Sequence, residues 1–149
     1  MFVVSWLDMD AFKSVNDTLG FAAGDDLIRA VGLALGDAET SLPGTVVAHV
    51  GGDDFLVVTD LDELTAVATE LVDRSWTVDE LTVTVSLASL VCTVSSVESY
   101  REASRLLAPL KQRAKAVPGS SWVLGRPRSD RVDVLRGRPH PDHSMGQSA

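Results

Sequence analysis

Cysteine, long apolar runs and positive charge are all scarce in this sequence, and each shortage excludes something. Cys92 is the only cysteine, so no internal disulfide can form, and its place in the apolar run 90–94 predicts a buried thiol in a reducing cytoplasm. No apolar stretch reaches the roughly 20 residues of a membrane-spanning helix, so we expect no membrane segment. The 13 Lys and Arg against 21 Asp and Glu give a net charge of −8. Such an acidic chain is a poor nucleic-acid binder, because phosphates require a basic surface.

Length and charge distribution favour one domain followed by a tail. The 149 residues, with 45% hydrophobic content, suffice for a single core. After residue 125 the composition shifts to Arg, Pro, Asp, Gly, Ser and His. We therefore expect a domain over residues 1–125 and a disordered tail over 126–149. His140 and His143 in that tail have metal-binding side chains, but a pair without a fixed scaffold is weak evidence for a metal site.

The most informative stretch is a predicted β-hairpin with an acidic tip. Two runs rich in β-branched residues, 46–50 and 55–58, flank the turn-type residues Gly51-Gly52-Asp53-Asp54. The glycines permit positive φ and close approach of a ligand to the backbone. Adjacent carboxylates repel each other, and a bound cation relieves the repulsion. For this segment alone, a solvated acidic turn is the simpler interpretation.

A second acidic turn, Asp8-Met9-Asp10, follows an apolar run over residues 3–7 that is typical of a central strand. Helices are predicted after residue 24, after residue 60 and after residue 99, with strand pattern over 81–94; Pro109 should kink or break the last helix. This order predicts an α+β fold with a palm-like, ferredoxin-like sheet and helices packed on one face. There the first strand and the hairpin can be neighbours, which brings Asp8, the Met9 carbonyl and Asp53 together.

Two converging acidic turns supply the hard oxygen ligands that Mg²⁺ prefers, and Mg²⁺ takes its other ligands from water and substrate phosphates. The pattern therefore favours metal-assisted phosphoryl or nucleotidyl transfer. Lys13 is close enough in sequence to Asp10 to balance developing negative charge. Lys111 and Lys115 lie one helical turn apart, where they either grip phosphates or form a solvated cationic end of a helix.

The combined motifs resemble the GGDEF family of diguanylate cyclases. The resemblance rests on LDMDAFKSVNDTLG at 7–20, GDDL at 24–27 and GGDDF at 51–55, and it spans about residues 3–124. It implies a palm-like fold whose β-hairpin carries the GGDDF turn, and a role in bacterial signalling. It further implies a homodimer that condenses two GTP molecules into cyclic di-GMP with Mg²⁺ or Mn²⁺, each protomer holding one GTP.

The resemblance also assigns roles to individual residues. Asp8, the Met9 carbonyl and Asp53 would hold the metal. Asp54 would assist deprotonation of the ribose 3′-hydroxyl, and Lys13 would support the reacting phosphate. The remaining substrate contacts would be Asn16 and Asp25 with guanine, the backbone of Ala11 and Phe12 with the β-phosphate, and Lys111 and Lys115 with the γ-phosphate.

Several positions depart from the family pattern. Asp54 replaces the usual Glu, and a misplacement of about 1 Å at a reacting group can cost on the order of 100-fold in rate. The chain starts at the first strand, without the family's usual first helix, which predicts exposed apolar surface on the sheet. The R-x-x-D product-inhibition motif would fall on residues 42–45, Leu-Pro-Gly-Thr, so no such site is expected.

These departures leave two further hypotheses beside the cyclase. A degenerate GGDEF domain would bind GTP without turnover and act as a regulatory binding module. An inert fragment would show neither nucleotide binding nor cooperative unfolding.

Overall fold

A computed structural model describes residues 1–137 as an α+β fold, which confirms the predicted class. None of the helices in that range is both long and apolar enough to cross a membrane. The elements in chain order are β1 (Phe2–Met9), α1 (Phe12–Leu19), α2 (Phe21–Ser41), β2 (Val46–Gly51), β3 (Asp54–Asp60), α3 (Leu61–Val72), β4 (Trp76–Val78), β5 (Leu81–Val83), β6 (Val85–Cys92), α4 (Tyr100–Ala116), β7 (Ser121–Gly125) and β8 (Val132–Arg136).

The main sheet has the strand order β2-β3-β1-β6-β7-β8, and β4 pairs with β5 in a separate ribbon. β1 is central and antiparallel to both β3 and β6. Every residue from Val3 to Met9 is buried, which explains why this strand is a continuous apolar run rather than an alternating one. The same position brings the end of β1 between β3 and β6, where Asp8 pairs in register with Asp54 on one side and Ser86 on the other.

Helices cover both faces of the sheet, not one face as expected from the sequence. α1, α2 and α3 pack on one face in a core that includes Leu7, Leu27 and Leu71. α4 packs on the opposite face, where Leu107 joins Val4 in a second core. The physical reason is that successive side chains of β1 point to opposite faces of the sheet. Because β1 places apolar side chains on both faces, helices must pack on both.

α4 continues through Pro109, so the predicted break at this residue is wrong. The proline has no N–H to donate to the Arg105 carbonyl, which removes one helical hydrogen bond. Two features offset that loss. Ser99 Oγ accepts the Glu102 N–H at 3.2 Å, and the Glu102 carboxylate accepts the N–H of Glu98, the residue before the N-cap, at 2.9 Å. The helix also buries Leu107 and three other side chains against the sheet.

The sheet extends beyond the predicted domain boundary at residue 125. Val132–Arg136 forms β8, antiparallel to β7, so the predicted tail does not begin at Arg126. Val132 and Val134 pack against the second core, and Arg136 Nε donates to Asp73 Oδ1 at 3.1 Å. The alternation of valines with charged residues is the signal for this strand, and the Arg-rich composition conceals it. The rest of the predicted tail, with His140 and His143, lies outside the described residues.

Part of the face that α4 covers is open at the β2–β3 end of the sheet. Val46 is 60% exposed. Leu56 and Val58 are only partly buried. The elements described over residues 1–137 leave these side chains in contact with solvent.

Removing residues 126–137 should destabilise the fold, because β7 would become a bare edge and two valines would lose their cover. We expect a chain of residues 1–125 to have a free energy of unfolding lower by roughly 2–4 kcal/mol than a chain of residues 1–137, the value for partial burial of two aliphatic side chains. Urea unfolding followed by circular dichroism measures the difference. Equal midpoints for the two chains would show that β8 contributes nothing.

Candidate functional site

Three carboxylates meet where β1 ends beside the β2–β3 turn. One oxygen from each of Asp8, Asp53 and Asp54 lies within 4.8 Å of the other two. The turn takes this shape because Gly51 and Gly52 adopt φ of 147° and 53°, conformations that favour glycine. The structure thus brings together the two acidic turns that lie more than 40 residues apart in the chain.

The carboxylates line a cavity of about 460 Å³, a volume within the range of small-molecule sites. Most of the site residues predicted from the sequence share this cavity. Its lining consists of Asp8, Met9, Ala11, Phe12, Lys13, Asn16, Asp53, Asp54 and Lys115.

Two predicted site residues lie elsewhere. Asp25 lines a separate, more open cavity together with His49 and Phe55. Lys111 stacks its ammonium over the Trp6 ring, 3.7 Å from the ring centroid, which is a cation–π contact. Neither side chain lines the acidic cavity in this structure.

Asp53 carries the largest electrostatic perturbation of the site. Its pKa is raised from 3.8 to about 7, first by burial and then by a hydrogen bond with Asp8 and the negative charge of Asp8. With a pKa near 7, the Asp53 carboxyl keeps its proton at mildly acidic pH and loses it as the pH passes through neutral. A divalent cation would replace that proton.

The pKa of Asp54 is also raised, by burial and by the charge of Asp8. The ammonium groups of Lys111 and Lys115 oppose the rise. The indole N–H of Trp6 opposes it too; it acts as a nearby dipole, since Trp6 Nε1 makes no geometrically acceptable hydrogen bond within residues 1–137. Asp54 is therefore a carboxylate held between acidic and basic neighbours.

Lys115 shows that the cluster attracts a cation. Its Nζ forms an ion pair with Asp8 Oδ2. Burial acts to lower the pKa of Lys115, but the hydrogen bond and charge of Asp8, together with Asp10 and Asp53, raise it overall. The hard oxygen donors and this bound ammonium both fit a site for Mg²⁺ or Mn²⁺.

Asp10 anchors the site and does not line the cavity. Thr84 Oγ1 and Ser86 Oγ donate hydrogen bonds of 2.8 and 2.5 Å to its carboxylate, and the Asp10 N–H donates to the Thr84 carbonyl at 2.9 Å. These contacts fix the end of β1 to the start of β6. Sequence reasoning missed Thr84 and Ser86 because only the register of β1 with β6 brings them to Asp10.

The β1–α1 turn supplies polar groups on the other side of the cavity. Ala11 adopts φ of 56° and precedes α1, whose first N–H groups lack helical acceptors. Lys13 extends from this first turn and forms an exposed ion pair of 2.6 Å with Asp17. The free N–H groups and the lysine make this side of the cavity attractive to phosphate.

Asn16 offers an acceptor that the described residues do not satisfy. Its Oδ1 is buried and has no hydrogen-bond partner within residues 1–137. Gly24 on α2 makes room for it, since a Cβ at Gly24 would lie 2.0 Å from that oxygen. A buried, unpartnered oxygen beside a cavity fits a ligand that donates N–H groups.

Comparison with known proteins places these features in a family. The family model described as the diguanylate cyclase GGDEF domain matches residues 1–115. A protein from the hutH 5′ region of Streptomyces griseus is 39% identical over 141 residues, which cover 91% of this chain and 58% of that protein. This chain therefore spans less than two thirds of that relative.

Solved structures agree with this family in fold. An EAL/GGDEF domain protein from M. capsulatus matches with a TM-score of 0.68 and 27% identity, over 83% of each chain. Diguanylate cyclase SiaD from Pseudomonas aeruginosa, crystallised with its activator SiaC, also matches with a TM-score of 0.68, at 25% identity over 83% of this chain and 50% of that one.

Replacing Asp53 with Asn should stabilise the metal-free protein at pH 8 but not at pH 4. The pKa of Asp53 is about 7 in the folded state and near 3.8 unfolded, so ionisation opposes folding increasingly as pH rises from 4 through 7. The amide removes that opposition. Thermal unfolding in EDTA at both pH values measures the change in Tm. Asp37→Asn, on the exposed side of α2, is the control. A Tm change that is the same at both pH values would contradict the assigned electrostatics.

Proposed function

Because this chain belongs to the GGDEF family of diguanylate cyclases, we propose that it joins two molecules of GTP into cyclic di-GMP. The observation that supports this most directly is the cluster of Asp8, Asp53 and Asp54 on the wall of the acidic cavity. In the reaction, each ribose 3′-hydroxyl attacks the α-phosphorus of the other GTP. Two phosphodiester bonds form, two pyrophosphates leave and both hydroxyl protons are released.

Asp8, Asp53 and the Met9 carbonyl would hold Mg²⁺ or Mn²⁺ in this proposal. All three offer oxygen, the ligand that these ions prefer. When bound, such an ion neutralises phosphate charge and polarises phosphorus. Its binding would also remove the repulsion between Asp8 and Asp53 that raises the pKa of Asp53.

Asp54 is the residue we assign to accept the 3′-hydroxyl proton. It sits on β3 in register with Asp8, so its backbone position is fixed by the sheet. Its raised pKa makes it a better proton acceptor near neutral pH than an ordinary aspartate. Its side chain is one methylene shorter than the glutamate of the family pattern, which limits its reach.

The triphosphate would lie along the β1–α1 turn. Backbone N–H groups near Ala11 and Phe12 would bind the β-phosphate, Lys13 the reacting phosphate, and Lys111 with Lys115 the γ-phosphate. The ion pairs of Lys13 and Lys115 are with Asp17 and Asp8. The Lys13–Asp17 pair is exposed and therefore weak, so a triphosphate can draw Lys13 away from it. A metal ion that took Asp8 Oδ2 would leave Lys115 able to bind phosphate.

Guanine would be recognised by Asn16 and Asp25. The unpartnered Oδ1 of Asn16 supports the first assignment. Asp25 lies on α2, one residue after the Gly24 that packs on Asn16. Its carboxylate can accept from the N1–H and amino group of the base.

Catalysis would require two protomers, each presenting one GTP to the other, because each hydroxyl must reach the phosphorus of the second nucleotide. We assign this homodimer to the cytoplasm, the compartment where GTP is available.

GTP binding without turnover is the second candidate function. The short reach of Asp54 favours it, since proton transfer needs closer placement than binding does. The pairing of Lys115 with Asp8 also favours it, because the ammonium competes with a metal ion for the same carboxylate.

Purified protein incubated with GTP and Mg²⁺ should form cyclic di-GMP and pyrophosphate, with a rate per protomer that rises with protein concentration. Asp53→Asn should lower the rate by on the order of 100-fold, since it removes a metal ligand and a charge at the reacting centre. Asp37→Asn is the matched control and should leave the rate unchanged. Product detection by chromatography tests all three proteins, and absence of product from the unaltered protein at high concentration eliminates the cyclase.

Asp54→Glu should raise kcat by roughly 10- to 100-fold, because the longer side chain restores the reach needed for proton transfer. GTP affinity, measured by equilibrium dialysis, should stay within about twofold of the parent value, since the change acts on the chemical step. If the parent protein binds GTP without turnover and only the Glu variant forms product, the binding module is the correct function. An unchanged kcat would show that reach is not limiting.

A further inference from the structure

We propose that a second cavity, which we call the basic cavity, binds a small organic phosphate: a doubly charged phosphate group attached to an apolar or aromatic body. The basic cavity has a volume of about 570 Å³ and lies between α4 and the strands β6, β7 and β8. It is built from residues that the proposed cyclase reaction does not use. Its size is within the range of small-molecule sites.

Apolar side chains from three elements form part of this lining. Leu106 and Leu110 come from α4, Leu90 from β6 and Val132 from β8. Gly125 lets the helix approach the sheet, because a Cβ there would lie 2.7 Å from Leu110 Cδ2. This lining suits the apolar part of a ligand.

The charged lining is strongly basic in a protein whose net charge is −8. It comprises Arg105, Arg113, Arg126 and Arg128 against the single acid Asp130, a net +3. Arg126 is paired with Asp133 at 3.5 Å, while no ion pair within residues 1–137 involves the other three arginines. A guanidinium group binds phosphate through paired N–H donors. Three guanidinium groups without an ion-pair partner match the charge of a phosphate dianion better than that of one carboxylate.

Arg128 lies in the loop between β7 and β8, at a position whose backbone conformation is unusual for arginine. Its backbone adopts φ of 61°, a region that favours glycine. Glycine would adopt this backbone conformation with less strain than arginine does. In this structure the side chain contributes to the wall of the basic cavity.

The basic cavity and the acidic cavity are separate. The Leu90–Gly125 pair beside the basic cavity and the Ser86–Ser121 pair near Asp8 are four positions apart in the same strand pairing. That separation is roughly 13 Å along the strands. A ligand in one cavity can therefore be tested without disturbing the residues of the other.

Phenyl phosphate is the probe for this site, measured by isothermal titration calorimetry against the full chain at low salt. We expect one phenyl phosphate per chain, and inorganic phosphate bound at least about tenfold more weakly because it lacks an apolar body. Phenol, which lacks the charge, should show no binding. Equal affinity for inorganic phosphate and phenyl phosphate would overturn the proposal.

Two substitutions and a matched control locate the probe. Arg113→Gln and Arg128→Gly should each weaken phenyl phosphate by about tenfold, the effect of losing one charge-assisted contact. Arg128→Gly should keep or raise Tm, since it relieves backbone strain, so a loss of binding cannot be ascribed to unfolding. Arg101→Gln, on α4 but outside the basic cavity, should leave affinity unchanged.

The remaining outcomes separate this site from other sources of binding. Asp53→Asn should retain phenyl phosphate binding, and its loss in that variant would place the probe in the acidic cavity and refute the proposal. If Arg101→Gln weakened phenyl phosphate binding as much as Arg113→Gln does, the loss would come from overall charge and not from the basic cavity. That result would also refute the proposal. Binding of an acidic peptide such as hexaglutamate, with none of phenyl phosphate, would make the surface a protein-docking site and contradict a small-molecule ligand.

Discussion

Mutual repulsion among Asp8, Asp53 and Asp54 is the constraint on which the acidic site depends. Like charges held within 4.8 Å at a partly buried position oppose folding unless something else fixes the backbone. Here the fixing comes from β1, which is hydrogen-bonded on both sides and buried along nearly its whole length. The apolar strand supplies the rigidity that allows an acidic cluster at its end, and the cluster in turn requires a cation or a proton.

The same constraint explains what sequence reasoning recovered. An apolar run ending in Asp8, and a glycine turn ending in Asp53, are local signals, and an alternating α+β pattern is enough to make their elements neighbours. The convergence of these residues and the α+β fold were therefore predictable. So was the start of α4, because Ser99 and Glu102 lie within one turn of each other and Ser99 Oγ accepts the Glu102 N–H.

Features that depend on distant pairing were not predictable. Thr84 and Ser86 support Asp10 across more than 70 residues, and nothing in their local sequence identifies them as part of the site. The strand β8 was not predicted because charged residues surround its two valines in the sequence. These valines favour a strand only because α4 and β7 provide a surface on which they pack. Pro109 was expected to break α4, but propensity alone does not count the burial of Leu107 and its neighbours.

The helix α4 carries basic side chains to both cavities. Lys111 and Lys115 lie near the acidic cavity, while Arg105 and Arg113 line the basic cavity. Lys115 is paired with Asp8 Oδ2, so a metal ion that takes this oxygen would displace the ammonium. In the proposed cyclase, the γ-phosphate is the nearest alternative partner for that ammonium. Metal and triphosphate would then favour each other's binding, because each satisfies a charge that the other leaves unpaired.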